Sequence, residues 1–193
     1  MNPPLVRQSV LALGFLGWTG AEVITDGNSE SGGIPPAGSG APYVAQPTVS
    51  GPGSEGYHTT ETVLGRQVWV AENMLYFDLP NGQFPVGDPV YVQIEYLDVD
   101  RGHLKVKYDS DYGNTIGDKF RQSEIHTRSS RVDGGGFAFS HHQFENPLFA
   151  NRQNGGNDFR IELADNSGVS FRVASVSLSS SPFPEARFQY ALT

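Results

Sequence analysis

A period of two limits the architectures open to this chain more than any other feature. Val90, Val92, Ile94 and Tyr96 fall on one face of a run whose other face carries Tyr91, Gln93, Glu95 and Leu97, because side chains alternate along a strand. Leu104, Val106 and Tyr108 alternate with Lys105, Lys107 and Asp109. Phe137 and Phe139 alternate after Gly134-Gly135-Gly136, and Phe159, Ile161 and Leu163 alternate with Arg160 and Glu162. Val169, Phe171 and Val173 alternate with Ser170 and Arg172; Val176 and Leu178 then change parity, which places a bulge near Val173-Ala174. Tyr57–Thr62, Gln67–Val70 and Leu75–Leu79 are shorter β-rich runs, the last ending at the turn Pro80-Asn81-Gly82. Asp98–Gly102 reads as a turn, so Val90–Leu97 and His103–Tyr108 are expected to form a hairpin with one solvated face. No stretch carries a convincing helical period, and 23 Gly and 13 Pro weaken helix interiors. The expectation is an all-β fold, a single antiparallel β-sandwich of jelly-roll type over residues 57–179.

The segment before it differs in composition. From Gln8 to Gly65 there is no Lys or Arg, and 13 of the 30 residues from Gly27 to Gly56 are Gly or Pro. Ile34–Pro42 is low-complexity and should run extended or turning. Residues 1–56 are therefore expected to form a docking arm and residues 180–193 a tail, in which Ser179–Pro184 breaks the sheet and Phe188–Leu192 makes a last strand or a contact arm. Leu11, Leu13, Phe15, Trp18, Val23 and Ile24 form an apolar stretch too small for a core of its own. They are the expected assembly contacts, as a strand added to a neighbour's sheet or an arm across another subunit; the alternative is an extra strand on the chain's own sandwich. Arg7 followed by Val10–Trp18 also passes as a short secretory signal ending near Ala21, but Gly14, Gly17 and Trp18 weaken it, and the segment is read as part of the working protein.

Composition removes several function classes. The net charge is −8 with 10 Arg and 3 Lys, which disfavours gripping a phosphate backbone, so nucleic acid is not an expected partner. With no cysteine there is no disulfide, no thiol catalysis and no Cys-based metal site. No apolar run approaches the length of a membrane-spanning helix, and no membrane partner is expected. Aromatic residues at 11% still supply a substantial core.

Tyr76-Phe77-Asp78, the strand ending Glu95-Tyr96-Leu97-Asp98, the step Lys107-Tyr108-Asp109-Ser110 and the run Phe149–Ile161 come in that order at characteristic spacing. Together they resemble a β-sandwich accessory domain of bacterial polysaccharide-active proteins, similar to the jelly-roll carbohydrate-binding modules, over roughly Leu75 to Leu178. The resemblance implies a sandwich fold and a sugar-binding ancestry.

Candidate chemistry lies in two places. Asn151, Arg152, Asn154, Asn157, Asp158 and Arg160 concentrate donors and acceptors that sugar hydroxyls require; the structural alternative is that Asn154-Gly155-Gly156 makes a positive-φ turn and that Asp158 pairs with Arg152 or Arg160. Tyr112 can stack on a pyranose ring with Asp109 and Asp111 accepting hydroxyl bonds, and Asp109, Asp111 and Asn114 are oxygen donors suited to a structural Ca²⁺. The expected carbohydrate-binding set is Tyr112, Asp109, Asp111, Asn151, Arg152 and Asn157. His141 and His142 are adjacent, so a strand sends them to opposite faces and they cannot share a metal; His126 has no convincing acidic or Cys partner. No acid–base pair or nucleophile elbow is visible. The sequence thus points to a non-enzymatic structural protein, displayed on a virion or extracellular surface through its arm, with weak glycan adhesion. Its expected partners are subunits of a larger homo-oligomeric assembly, with a polysaccharide as a further ligand. The alternative is a soluble carbohydrate-binding module of a secreted polysaccharide-degrading system.

Overall fold

The computed structural model describes residues 41–98, 104–111, 118–128, 136–163 and 170–184, with the backbone alone for 118 and 124–128. They build two antiparallel sheets. The strands are β1 (Tyr43–Ala45), β2 (His58–Val63), β3 (Arg66–Ala71), β4 (Met74–Phe77), β5 (Val90–Leu97) and β6 (Leu104–Tyr108), then β7 (Arg121–Gln122), β8 (Glu124–Arg128), β9 (Phe137–Phe144), β10 (Phe159–Leu163) and β11 (Phe171–Ser179). The larger sheet has the order β2-β3-β11-β5-β9-β8, with β1 added beside β11; the smaller has the order β4-β10-β6-β7. The all-β sandwich is the fold.

The two sheets meet through the apolar halves of the alternating strands. Val90, Val92 and Ile94 of β5 and Val173, Val176 and Leu178 of β11 face Leu75 and Phe77 of β4, Val106 and Tyr108 of β6, and Phe159 and Ile161 of β10, all buried. Aromatic contacts lock one sheet on the other: Tyr108 stacks on Phe144 at 4.3 Å, Phe144 meets Phe159 at 5.6 Å, and Trp69 meets Phe77 edge-on at 6.4 Å. Such rings carry most of the buried apolar area per residue, about 1.5–3 kcal/mol each.

The parity change in the last strand has the expected cause. Opposite β5, the register of β11 slips between Val173 and Ser175, one extra residue that re-aims Val176 and Leu178 into the core. The β2–β3 connection is a two-residue turn in which Leu64 and Gly65 both take positive φ, 51° and 77°. Its twist suits the flanking strands.

Two boundaries differ from the sequence expectation. β5 and β6 are not a hairpin: β5 pairs with β11 and β9, whereas β6 pairs with β10 and β7 in the other sheet. Both strands have one buried face, and alternation specifies that face without specifying the neighbour. The sandwich also begins before residue 57. Tyr43, Val44 and Ala45 pair with Leu178, Ser177 and Val176, Pro47 bridges to Phe77, and Thr48 N–H donates to the Tyr76 carbonyl at 2.7 Å. The Gly/Pro density on either side hides this three-residue strand, which is held by the sheet it joins. Leu11, Leu13, Phe15, Trp18, Val23 and Ile24 lie outside the described residues, as do residues 185–193 of the expected tail. The first residues of that tail turn back on the large sheet, where Phe183 lies parallel to the His141 ring at 6.1 Å.

Candidate functional site

The polar loop between β9 and β10 is built by five left-handed residues. Asn146, Phe149 and Asn151 have φ of 47°, 47° and 56°, and Gly155 and Gly156 have 74° and 77°. Asn and Gly adopt this region readily, whereas Phe149 is strained there and must be held by its surroundings. Its ring lies 6.1 Å from Phe84 and 6.2 Å from Phe144, and its two neighbours are tied to one residue. Leu148 N–H donates to the Asp109 carbonyl and Ala150 N–H to Asp109 Oδ2, both at 3.0 Å.

Asp109 is the hub of this arrangement and is wholly buried. Its Oδ1 accepts from Arg152 Nε at 2.8 Å and from Arg152 Nη2 at 2.5 Å, and the same Nη2 reaches the Ser110 carbonyl at 2.6 Å. Asp158 is a second buried carboxylate with a different partner set. It accepts backbone N–H bonds from Leu79 at 2.9 Å and Asn151 at 3.0 Å. With its amide nitrogen turned to the acids, Asn151 also donates to Asp158 Oδ1 at 3.0 Å and to Asp78 Oδ1 at 3.3 Å. Arg152 therefore pairs with Asp109 and Arg160 with Glu162; Asp158 pairs with neither and serves backbone amides instead. Asn157 donates to the Asn154 carbonyl at 2.6 Å and accepts from Thr48 Oγ1 at 2.6 Å, and Gln153 Nε2 donates to the Lys107 carbonyl at 3.0 Å.

Of the residues expected to bind sugar, Asp109, Arg152, Asn151 and Asn157 are thus brought together, but the hydrogen bonds just described run into the fold. Asp111 and Asn151 stand exposed beside them. Tyr112 and Asn114 lie outside the described residues. The Asp109 carboxylate that was a Ca²⁺ candidate faces a guanidinium and a backbone N–H. Among the described residues no group of three His, Cys, Asp or Glu is placed to hold a metal ion. His141 and His142 do point to opposite faces: His142 is buried between Ser123 Oγ at 2.9 Å and Ser140 Oγ at 2.7 Å, and His141 contacts Gln93 at 2.8 Å.

Burial pushes the Asp158 carboxyl above the ordinary carboxylate range, the two backbone donors offset part of that rise, and the charges of Asp78 and Asp109 add to it. A raised native pKa means that the folded chain binds a proton more readily than the unfolded one. The contribution of this group to stability is present in full below the ordinary carboxylate pKa and is lost as pH rises through the raised native value. Asp158→Asn removes that titration and sets an amide N–H₂ against one of the two backbone donors, at a cost of about 1–3 kcal/mol. The margin of the natural chain over this variant is expected to widen between about pH 7 and pH 4, measured as paired urea midpoints.

On the outer face of the small sheet Arg160, a candidate sugar donor from the sequence, meets residues that the sequence did not single out for it. There Tyr76, Lys107, Phe120, Arg160 and Glu162 form a second polar cluster. Its signal was available: the three lysines of the chain are Lys105, Lys107 and Lys119, and the Lys-Val-Lys spacing puts two of them on one side of a strand. Comparison with protein-family models, curated proteins and solved structures finds no match to this chain.

Proposed function

We propose that this chain is a non-enzymatic structural protein of a larger assembly, a two-sheet body held and displayed through the segment that precedes β1. Its partners are other subunits of that assembly, copies of itself among them, and its place is a virion or extracellular surface. The observation that carries this reading is the root of the segment. Tyr43–Ala45 is a strand of the large sheet, with Ala45 buried and three residues in register with β11. A pull or contact on the residues upstream is therefore borne by sheet hydrogen bonds and by the core, as a docking arm requires. The buried charged groups of the β9–β10 loop support the same reading, since Asp109 and Arg152 fix the loop to the body.

The test uses the full-length chain. The natural protein is expected to sediment as oligomers or larger particles, and Leu11→Asp with Phe15→Asp is expected to release it as a monomer with an unchanged melting temperature. A natural chain that sediments as a single monomeric species across the concentration range would refute the reading.

A further inference from the structure

Both outer faces of the sandwich carry charge, but the small sheet does something unusual with it. On β10, between β4 and β6, Arg160 and Glu162 point away from the core and are nonetheless buried, at 8% and 7% exposure. The Arg160 guanidinium lies 4.6 Å from the Phe120 ring and 6.0 Å from the Tyr76 ring. Its Nε donates to Glu162 Oε2 at 3.0 Å, while Glu162 Oε1 takes Lys107 Nζ at 2.7 Å. That Nε bond is the one hydrogen bond the guanidinium makes among the described residues, so Nη1 and Nη2 keep their donors unspent. Neither is one of the sealed unsatisfied atoms, which among the described residues are Asp98 Oδ2 and Gln153 Oε1. Two rings and one carboxylate thus hold a planar fork still and leave its outer edge to a ligand.

The surroundings have a sign and a second chemistry. Lys105 and Lys107 flank β10 on the same face, in register with Glu162 and Arg160, and Lys119 sits with its ammonium 4.9 Å over Phe120. Every lysine of a chain with net charge −8 is therefore at this face, where Glu162 pairs with Lys107. Past the Tyr76 ring, its hydroxyl donates to Glu55 Oε2 at 3.1 Å, and Asn154 Nδ2 reaches the same carboxylate at 3.2 Å. Glu55 and Asn154 are exposed and Tyr76 is buried behind them, and carboxylate and amide groups of this kind bind hydroxyl groups. Tyr76 and Phe120 already plate Arg160, so these two rings are not an open pair for stacked bases.

We propose that this outer face binds an acidic polysaccharide, with a uronate carboxylate taken by the Arg160 fork and neighbouring sugar hydroxyls taken by the Tyr76, Glu55 and Asn154 group. Lys119 and Lys105 add attraction that weakens with salt. The inference goes beyond the assembly reading above and names a ligand for the weak glycan adhesion expected from the sequence. It is tested separately from the assembly part: sedimentation reads the assembly, and glycan retention reads this face.

The experiment is retention of the full-length chain in native gels containing polygalacturonate, with neutral dextran and polyphosphate as parallel arms. Polygalacturonate is expected to retard the natural chain at low salt, and dextran is not. Arg160→Gln is expected to weaken retention about tenfold or more, and Lys119→Gln about two- to threefold. Because Arg160 is buried, Arg160→Gln is scored alongside Arg160→Lys, which keeps the charge and loses the fork, and Lys119→Gln stands if neither folds. No retardation of the natural chain by polygalacturonate, or equal retardation of the natural chain and Lys119→Gln, would overturn the proposal. Equal retardation by polyphosphate would do so as well, since the hydroxyl group would then contribute nothing.

Discussion

Asp109→Ala is expected to lower the unfolding free energy by about 3–5 kcal/mol, more than any other polar substitution in the sandwich. The carboxylate is fully buried and serves two masters at once, the Arg152 guanidinium and the Ala150 amide. Deleting it takes the carboxylate from a largely buried cation and the acceptor from the Ala150 amide, and it frees one side of the strained Phe149, whose other side stays tied through Leu148 to the Asp109 carbonyl. Urea unfolding of Asp109→Ala, Arg152→Ala and the double variant checks this. The double variant should be little worse than Asp109→Ala alone, because the two side chains act as one unit. A stability loss below about 1 kcal/mol would show that the pair is a surface ornament and would return both residues to the pool of ligand contacts.

Phe159→Ala is expected to cost about 3–5 kcal/mol, through lost transfer energy and a cavity that the neighbours cannot close. Phe159 is fully buried, stacks on Phe77 at 4.6 Å within its own sheet, and meets Phe144 of the opposite sheet at 5.6 Å. The same residue sits immediately after Asp158, whose amide donates to the Phe77 carbonyl at 2.9 Å. The loss should therefore appear both as a lower urea midpoint and as faster amide exchange in the Asn151–Asp158 loop. Phe159→Leu keeps most of the volume and is expected to recover more than half of the difference.

The alternating strands made the fold class readable. Val90–Leu97, Phe159–Leu163 and the parity change near Val173 each state which side chains go inward, although Glu95, Arg160 and Glu162 on the outward faces are buried too, by partners that alternation does not name. Pairing was not readable, because β5 and β6 offer equivalent patterns to different sheets. The short β1 was missed for a related reason: Tyr43-Val44-Ala45 has too few residues to show a period, and its order comes from Leu178, Ser177 and Val176 across the ladder. In the β9–β10 loop the turn chemistry of Asn154-Gly155-Gly156 was legible, and the partner of each acid was not. Asp109 and Arg152 are far apart in sequence, and only the closed sandwich puts one against the other. The Arg160 cluster draws on four separate segments, so no local motif announces it.

The placement of β11 has a consequence for how the polypeptide is made. Among the described residues it is the last strand of the large sheet in chain order, yet it lies between β3 and β5 and also carries β1. A ribosome therefore releases the β2–β3 and β5–β9 pairs well before the strand that joins them. Until then each pair keeps an unsatisfied edge, a template for wrong partners. Vectorial synthesis cannot complete this body piecewise; closure waits for β11, and a nascent chain halted before Phe171 should be the species that chaperones hold.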